Sequence, residues 1–175
     1  MCQIDPGLVL TAWNISAMMM DEEHVSMPEE NLCTRRLGLD DYDDLLSLWQ
    51  RAGLHSLKPQ GRDSRAALAH QLASGVQTVL GLKVDGCLVG AVVTTHDGRK
   101  GWINRLVVDP DYRRRGYAAR MLSAAEDVLR EQGMQVIAAL VESDNPASLA
   151  LFCQAGYAEI DPHIHYLTKR ESDAV

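Results

Sequence analysis

"LVVDPDYRRRGYAARML", Leu106 to Leu122, decides how this chain is read. An apolar run stops at Asp109-Pro110, three arginines and Gly116 follow, and apolar residues then recur at helical spacing from Ala118. A strand that ends here and restarts as a helix points the helix's first unpaired N–H groups, and the positive end of its dipole, into the connecting turn. Such a turn is a site for phosphate. Gly116 lets the backbone approach an anion closely, Tyr117 and the small Ala118 open the helix, and Arg113, Arg114 and Arg115 add charge around it. A solvated basic turn that merely caps a helix is the plain alternative. The position of the glycine, at a helix start after an apolar strand, favours the anion site.

That cluster sits in an acidic chain of 175 residues, with 24 acids against 17 bases and a formal net charge of -7. The acidity is local: residues 1–34 hold six acids and no base, so the remaining 141 residues are close to neutral. Broad electrostatic binding to nucleic acid or to an anionic membrane is therefore not expected. The division predicts an acidic N-terminal extension, residues 1–31, before one domain over residues 32–175. Its apolar stretch around Trp13 is expected to pack on the domain or on a second copy in a homodimer.

Cys2, Cys33, Cys87 and Cys153 are far apart, with no Cys-x-x-Cys spacing and no histidine cluster. They read as reduced, buried small residues of a cytoplasmic protein, and no metal is expected. No apolar run reaches the roughly 18–20 residues that cross a bilayer. The longest candidate, Leu8 to Met20, has no basic residue before it, the first being Arg35, so a signal peptide is not expected.

Elsewhere the pattern is regular. "LCTRRL" from Leu32 fits a strand, and Asp40 is placed to cap a helix in which Tyr42, Leu45, Leu46 and Trp49 share a face and Gly53 is the stop. A polar loop with Pro59 and Gly61 precedes a second helix, Ser64 to Ser74. Three β-rich runs joined at Asp85-Gly86 and Asp97-Gly98 predict an antiparallel meander. The helix after the arginine turn ends at Gly133, "QVIAALV" reads as a buried strand, and Asn145-Pro146 opens a last helix. "YAEI" and "HIHYLTK" fit two closing strands. Neither a P-loop nor a Gly-x-Gly-x-x-Gly fingerprint is present, so ordinary nucleotide folds are not supported.

Arg113-Arg114-Arg115-Gly116-Tyr117-Ala118 resembles the Arg/Gln-x-x-Gly-x-Gly/Ala signature of the GNAT superfamily of acyl-CoA-dependent N-acyltransferases, and Asn145 to Tyr157 is similar to its second motif. The resemblance covers about Leu32 to Lys169 and implies an α/β (α+β) fold: a mixed, mostly antiparallel twisted sheet flanked by about four helices. It implies an N-acetyltransferase with acetyl-CoA as co-substrate and a primary amine of a small molecule, peptide or protein as acceptor. The main chain of Leu106, Val107 and Val108 would pair with the pantetheine arm, with Asn145 beside it, and the amides from Arg114 to Ala118 would hold the diphosphate. Strand-edge pairing and a helix N-terminus suit those groups physically.

Catalysis needs a proton acceptor, a polarised carbonyl and a proton for the thiolate. A backbone N–H near Val107 or Val108 suits the carbonyl. Many family members carry a carboxylate on the strand before the arginine turn; here Asn104 stands there, suited to orient substrate or water. Glu142 is the nearest carboxylate by topology. Phe152 stands where the family's tyrosine acid is usual, and Ser148, one turn earlier on the same face, is the candidate donor to sulfur. His55 and Lys58, with Arg62, fall in the loop that lines the acceptor site in similar proteins. Since Phe152 has no proton to give, a non-catalytic acyl-CoA-binding regulatory module is the second reading.

Overall fold

The computed structural model describes residues 30–160. Five strands lie in the order β1 (Leu32–Arg36), β2 (Gln77–Val84), β3 (Cys87–His96), β4 (Gly101–Val108) and β5 (Ile137–Ala139). The first four pair antiparallel, while β5 runs parallel to β4. Helices α1 (Tyr42–Arg51) and α2 (Arg65–Ala73) precede β2, α3 (Tyr117–Glu131) crosses from β4 to β5, and α4 (Pro146–Gln154) follows. The expected mixed, mostly antiparallel sheet with four helices is what the chain forms.

Alternation along the strands separates two cores. Leu80, Leu82, Val92 and Ile103 pack against Met121, Leu122, Ala125 and Leu129 of α3, with Phe152 of α4. Val79, Ala91, Val93 and Val107 face the other way, onto Leu45, Leu48 and Trp49 of α1 and Leu68 of α2. Leu45, Leu48, Leu82, Met121 and Leu129 are wholly buried, each contributing about 1.5–3 kcal/mol of transfer free energy.

The turns follow their sequence signals unevenly. Asp85 (φ +49) and Gly86 (φ +84) form the two-residue turn that Asp-Gly predicts. Asp97-Gly98 instead belongs to a four-residue loop, because the Asp97 carboxylate accepts the N–H groups of Arg99 (2.8 Å) and Lys100 (2.7 Å) and holds a wider turn. Asp40 lies within a 3-10 turn, Leu39–Asp41, rather than capping α1; the capping position falls to Asp41, whose carboxylate is committed to Arg35. Ser64 does cap α2, accepting the Ala67 N–H at 3.2 Å.

Three further expectations are corrected. β5 is only three residues long and half-buried; Val136 and Leu140, read as strand interior, are exposed, because β4 pairs with β5 only from Gly101 to Ile103. Tyr157 to Ile160 is irregular rather than a strand, and the other proposed closing strand, residues 163–169, lies outside the described residues. Cys33, Cys87 and Cys153 are free but exposed, on edge strand β1, beside the β2–β3 turn and on α4 at the open cavity around β5. Cys2 and the stretch around Trp13 also lie outside the described residues. No helix among the described residues is long and apolar enough to cross a membrane.

Candidate active site

Between β4 and α3 the chain makes a 3-10 turn, Pro110–Tyr112, capped by Asp109, which accepts the Asp111 N–H at 3.1 Å. Arg114 (φ +67) and Gly116 (φ +79, ψ 0) then both take left-handed backbone. Gly116 occupies the N-cap of α3 and offers no side-chain oxygen, so nothing of the helix's own closes its first turn. The amides of Arg114 to Ala118 have no acceptor among the described residues. Unpaired donors at a helix N-terminus form a cradle for an anion.

The three arginines around it play different parts. Arg113 donates to the carbonyls of Val108 (3.1 Å) and Ala52 (3.3 Å), binding the turn to β4 and to the end of α1. Arg115 pairs with Glu30 at 2.7 Å and lies 5.2 Å from the Tyr112 ring centre. The Tyr117 hydroxyl donates to the same carboxylate, and that bond, with some burial, raises the phenol above its ordinary value. Arg114 has no hydrogen-bond or ion-pair partner among the described residues and is the cation left for a ligand.

Upstream of the cradle, β4 exposes an edge. Past Ile103 it has no partner on the β5 side among the described residues. The Asp109 N–H donates to Val89 at 2.8 Å, toward β3, and polar groups alternate along a strand. The N–H and C=O of Leu106 and Val108 therefore face the open edge, whereas those of Val107 face β3. Of the three residues expected to pair with an arm, Val107 is thus turned inward by the ladder.

The remaining candidates are spread around this edge. Asn104 faces the α1/α2 side, its amide donating to Thr95 Oγ1 at 3.1 Å. Glu142 is exposed in the irregular stretch after β5. Asn145 is taken up as the cap of α4, its Oδ1 accepting the Ser148 N–H at 3.1 Å. Ser148 is half-buried one turn before Phe152, whose ring is buried and meets Tyr157 edge-on at 5.0 Å. Burial, aided by nearby Glu126, pushes the Tyr157 phenol far above its ordinary value, and Glu126 is about 15 Å along α3 from Gly116. Tyr157 is thus a packing residue remote from the cradle. In the α1–α2 loop His55 is exposed, and Lys58 is half-buried with its N–H on Asp63 Oδ2 at 2.8 Å.

Four contacts escape a reading of the sequence: Arg105 with Asp63, Arg51 with Asp109, Glu30 with Arg115, and the bulge that places Arg105 and Leu106 opposite Val92. The single legible sign is a charge, Arg105, inside the apolar run Trp102 to Val108. No group of three or more His, Cys, Asp or Glu among the described residues is arranged to hold a metal. A cleft of about 300 Å³ between α3 and α4, bordered by Ala119, Ser123 and Leu151, begins near the cradle. The larger cavity, about 1220 Å³, lies around β5 and Tyr157 and does not include the arginine turn.

An open strand edge leading into unpaired amides at a helix N-terminus is an arrangement suited to an extended, phosphate-bearing ligand. Residues 42–157 match the model of the acetyltransferase (GNAT) family. An acetyltransferase of Yersinia pestis (strain Pestoides F) is 30% identical over 122 residues, covering 70% of this chain and 84% of that protein. Two solved structures share the fold. One is a predicted acetyltransferase with acetyl-CoA from Clostridium acetobutylicum (TM-score 0.64, 16% identity, 78% of this chain and 96% of that one). The other is AAC(6')-Iy with a bisubstrate analogue, CoA-S-monomethyl-acetylneamine (TM-score 0.65, 17% identity, 79% and 99%). The chain belongs to the GNAT acetyltransferase family and is an acyltransferase of that class.

Proposed function

We propose that the protein transfers an acetyl group from acetyl-CoA to a primary amine of a small molecule, peptide or protein. The observation that carries this reading is the set of amides from Arg114 to Ala118, without acceptors among the described residues, around Gly116 at φ +79 at the foot of the open β4 edge. Diphosphate fits the cradle, with Arg114 beside it. The amide-bearing arm pairs with Leu106 and Val108 as an added strand.

An N–H on that edge polarises the thioester carbonyl, where donors set before charge develops are most effective. The amine lone pair attacks the carbonyl carbon, the C–S bond breaks, and the thiolate takes a proton. Asn104 orients the amine or a water, Glu142 accepts the ammonium proton, and Ser148 serves the sulfur, with His55 and Lys58 on the acceptor side. The three free thiols among the described residues, scattered along the chain, support a cytoplasmic setting.

Phe152 favours a second reading, a regulatory module that binds acyl-CoA without turnover, since a phenyl ring cannot donate a proton. Calorimetric titration with acetyl-CoA, followed by thiol release across a panel of amines, separates the two. Binding with release supports the enzyme; binding without release from any amine supports the module; no binding overturns both.

A further inference from the structure

We infer that Asp63 and Arg105 form a positioning pair that holds the bulged segment of β4 in the geometry needed to receive the thioester carbonyl. The inference rests on the reading that acetyl-CoA lies along β4. Its basis is a strained residue and the contacts that hold it. Arg105 and Leu106 together oppose Val92 in the ladder, and Arg105 takes φ +50, a conformation that bulky side chains rarely adopt. Such a conformation persists only where its surroundings over-determine it.

Those surroundings converge on Asp63, which is 5% exposed as a side chain. Its Oδ1 meets Arg105 at 2.5 Å, its Oδ2 accepts the Lys58 N–H at 2.8 Å, and its carbonyl accepts the Tyr42 hydroxyl at 2.9 Å. The Arg105 guanidinium also lies 5.0 Å from the ring centre of buried Trp49. Helix α1, the α1–α2 loop and β4 thereby meet at a single residue, Asp63, whose carboxylate takes Arg105 and Lys58 and whose carbonyl takes Tyr42.

Replacing a buried ion pair by well-packed apolar residues is often neutral or stabilising, so stability alone does not account for this one. What it defines is the geometry of the residues flanking Arg105. Asn104 is held facing the α1/α2 side, and the Leu106 N–H is held facing the open edge. The same pair locks the acceptor-side loop to the strand that carries the carbonyl donor.

Infrared spectra of acetyl-CoA labelled with carbon-13 at the thioester carbonyl test this. In the wild-type protein the carbonyl stretch is expected at lower frequency than in free acetyl-CoA. Asp63→Asn and Arg105→Ala are expected to lose most of that displacement while binding acetyl-CoA about as tightly, and Arg105→Lys, which keeps a cation for Asp63, is expected to recover part of it. If Arg105→Ala does not fold, the near-isosteric Asp63→Asn and Arg105→Lys decide. Full displacement in these variants overturns the inference, as does joint loss of displacement and affinity, which marks a purely structural pair. A wild-type protein that binds acetyl-CoA with an undisplaced carbonyl overturns this inference alone; one that does not bind overturns the proposed function with it.

Discussion

The Arg51 guanidinium meets the Asp109 carboxylate at 2.8 Å, tying the last turn of α1 to the residue that follows β4. Asp109 is buried while Arg51 is half exposed, so the pair sits at the rim between the α1 core and the anion cradle. Burial opposes the charge on Asp109. Hydrogen bonds from Arg51 and the Asp111 N–H, with the charges of Arg51 and Arg113, outweigh it and hold the carboxyl below its ordinary value.

This lowered value fixes the sign of a pH effect. A carboxylate whose folded value lies below its unfolded one adds stability that is present above the unfolded value, about 3.9, and lost as pH falls through the folded one. Asp109→Asn is expected to cost about 1–3 kcal/mol at pH 7 through a lost charged bond and a weakened cap. Denaturant melts should show that deficit shrinking below about pH 4, where the wild type loses the same charge. Asp41, held low chiefly by its bond to Arg35, adds to the acid sensitivity in the same direction.

Gly116→Val tests the cradle. At φ +79 a Cβ meets no neighbour, so crowding is not the penalty. The penalty is backbone strain of about 1–2 kcal/mol for left-handed conformation, more for a β-branched residue. Relaxation of that strain re-aims the amides, and the expected result is a rise of about tenfold or more in KM for acetyl-CoA, each 1.4 kcal/mol being a factor of ten. An unchanged KM removes the glycine from the site.

Glu30 places a carboxylate on Arg115 and Tyr117 at the cradle's mouth. An exposed pair of this kind is worth about 0.2–1 kcal/mol and weakens with salt. Glu30→Gln is expected to tighten acetyl-CoA binding by up to about fivefold at low salt, with the gain fading as salt rises. Calorimetry at two ionic strengths measures both, and weaker binding in the variant contradicts the placement of anionic groups there.

Phe152→Tyr restores a hydroxyl one turn from Ser148. A positioned proton donor contributes about 10²–10⁴-fold at most, so kcat is expected to rise where thiolate departure limits the rate. Because Phe152 is 8% exposed, the hydroxyl is also expected to lower thermal stability unless it finds a partner. If kcat is unchanged, Ser148→Ala decides whether the proton comes from Ser148 or from solvent.

Much of the fold was legible because its signals are local. The Asp85-Gly86 turn, Asn145 as a cap, Gly133 as a stop and the 3.6-residue spacing of α3 each act within a few residues of themselves. The Asp97 loop escaped because the aspartate side chain competes with the turn that the dipeptide alone favours. The length of β5 escaped because strand length is set by the partner, and β4 bulges away beyond Ile103.

For the candidate site, the sequence by itself determined the turn from β4 into α3 with Gly116 at the helix start, since strand end, glycine and helix start are contiguous from Val108 to Ala118. Tertiary structure decided the rest. Asp63 meets Arg105 across 42 positions, Arg51 meets Asp109 across 58, and Glu30 meets Arg115 across 85. Which strand residues turn their amides outward depends on a register shift against β3. Pairings over such distances follow from packing the whole sheet against α1 and α3, and no short stretch of sequence encodes them.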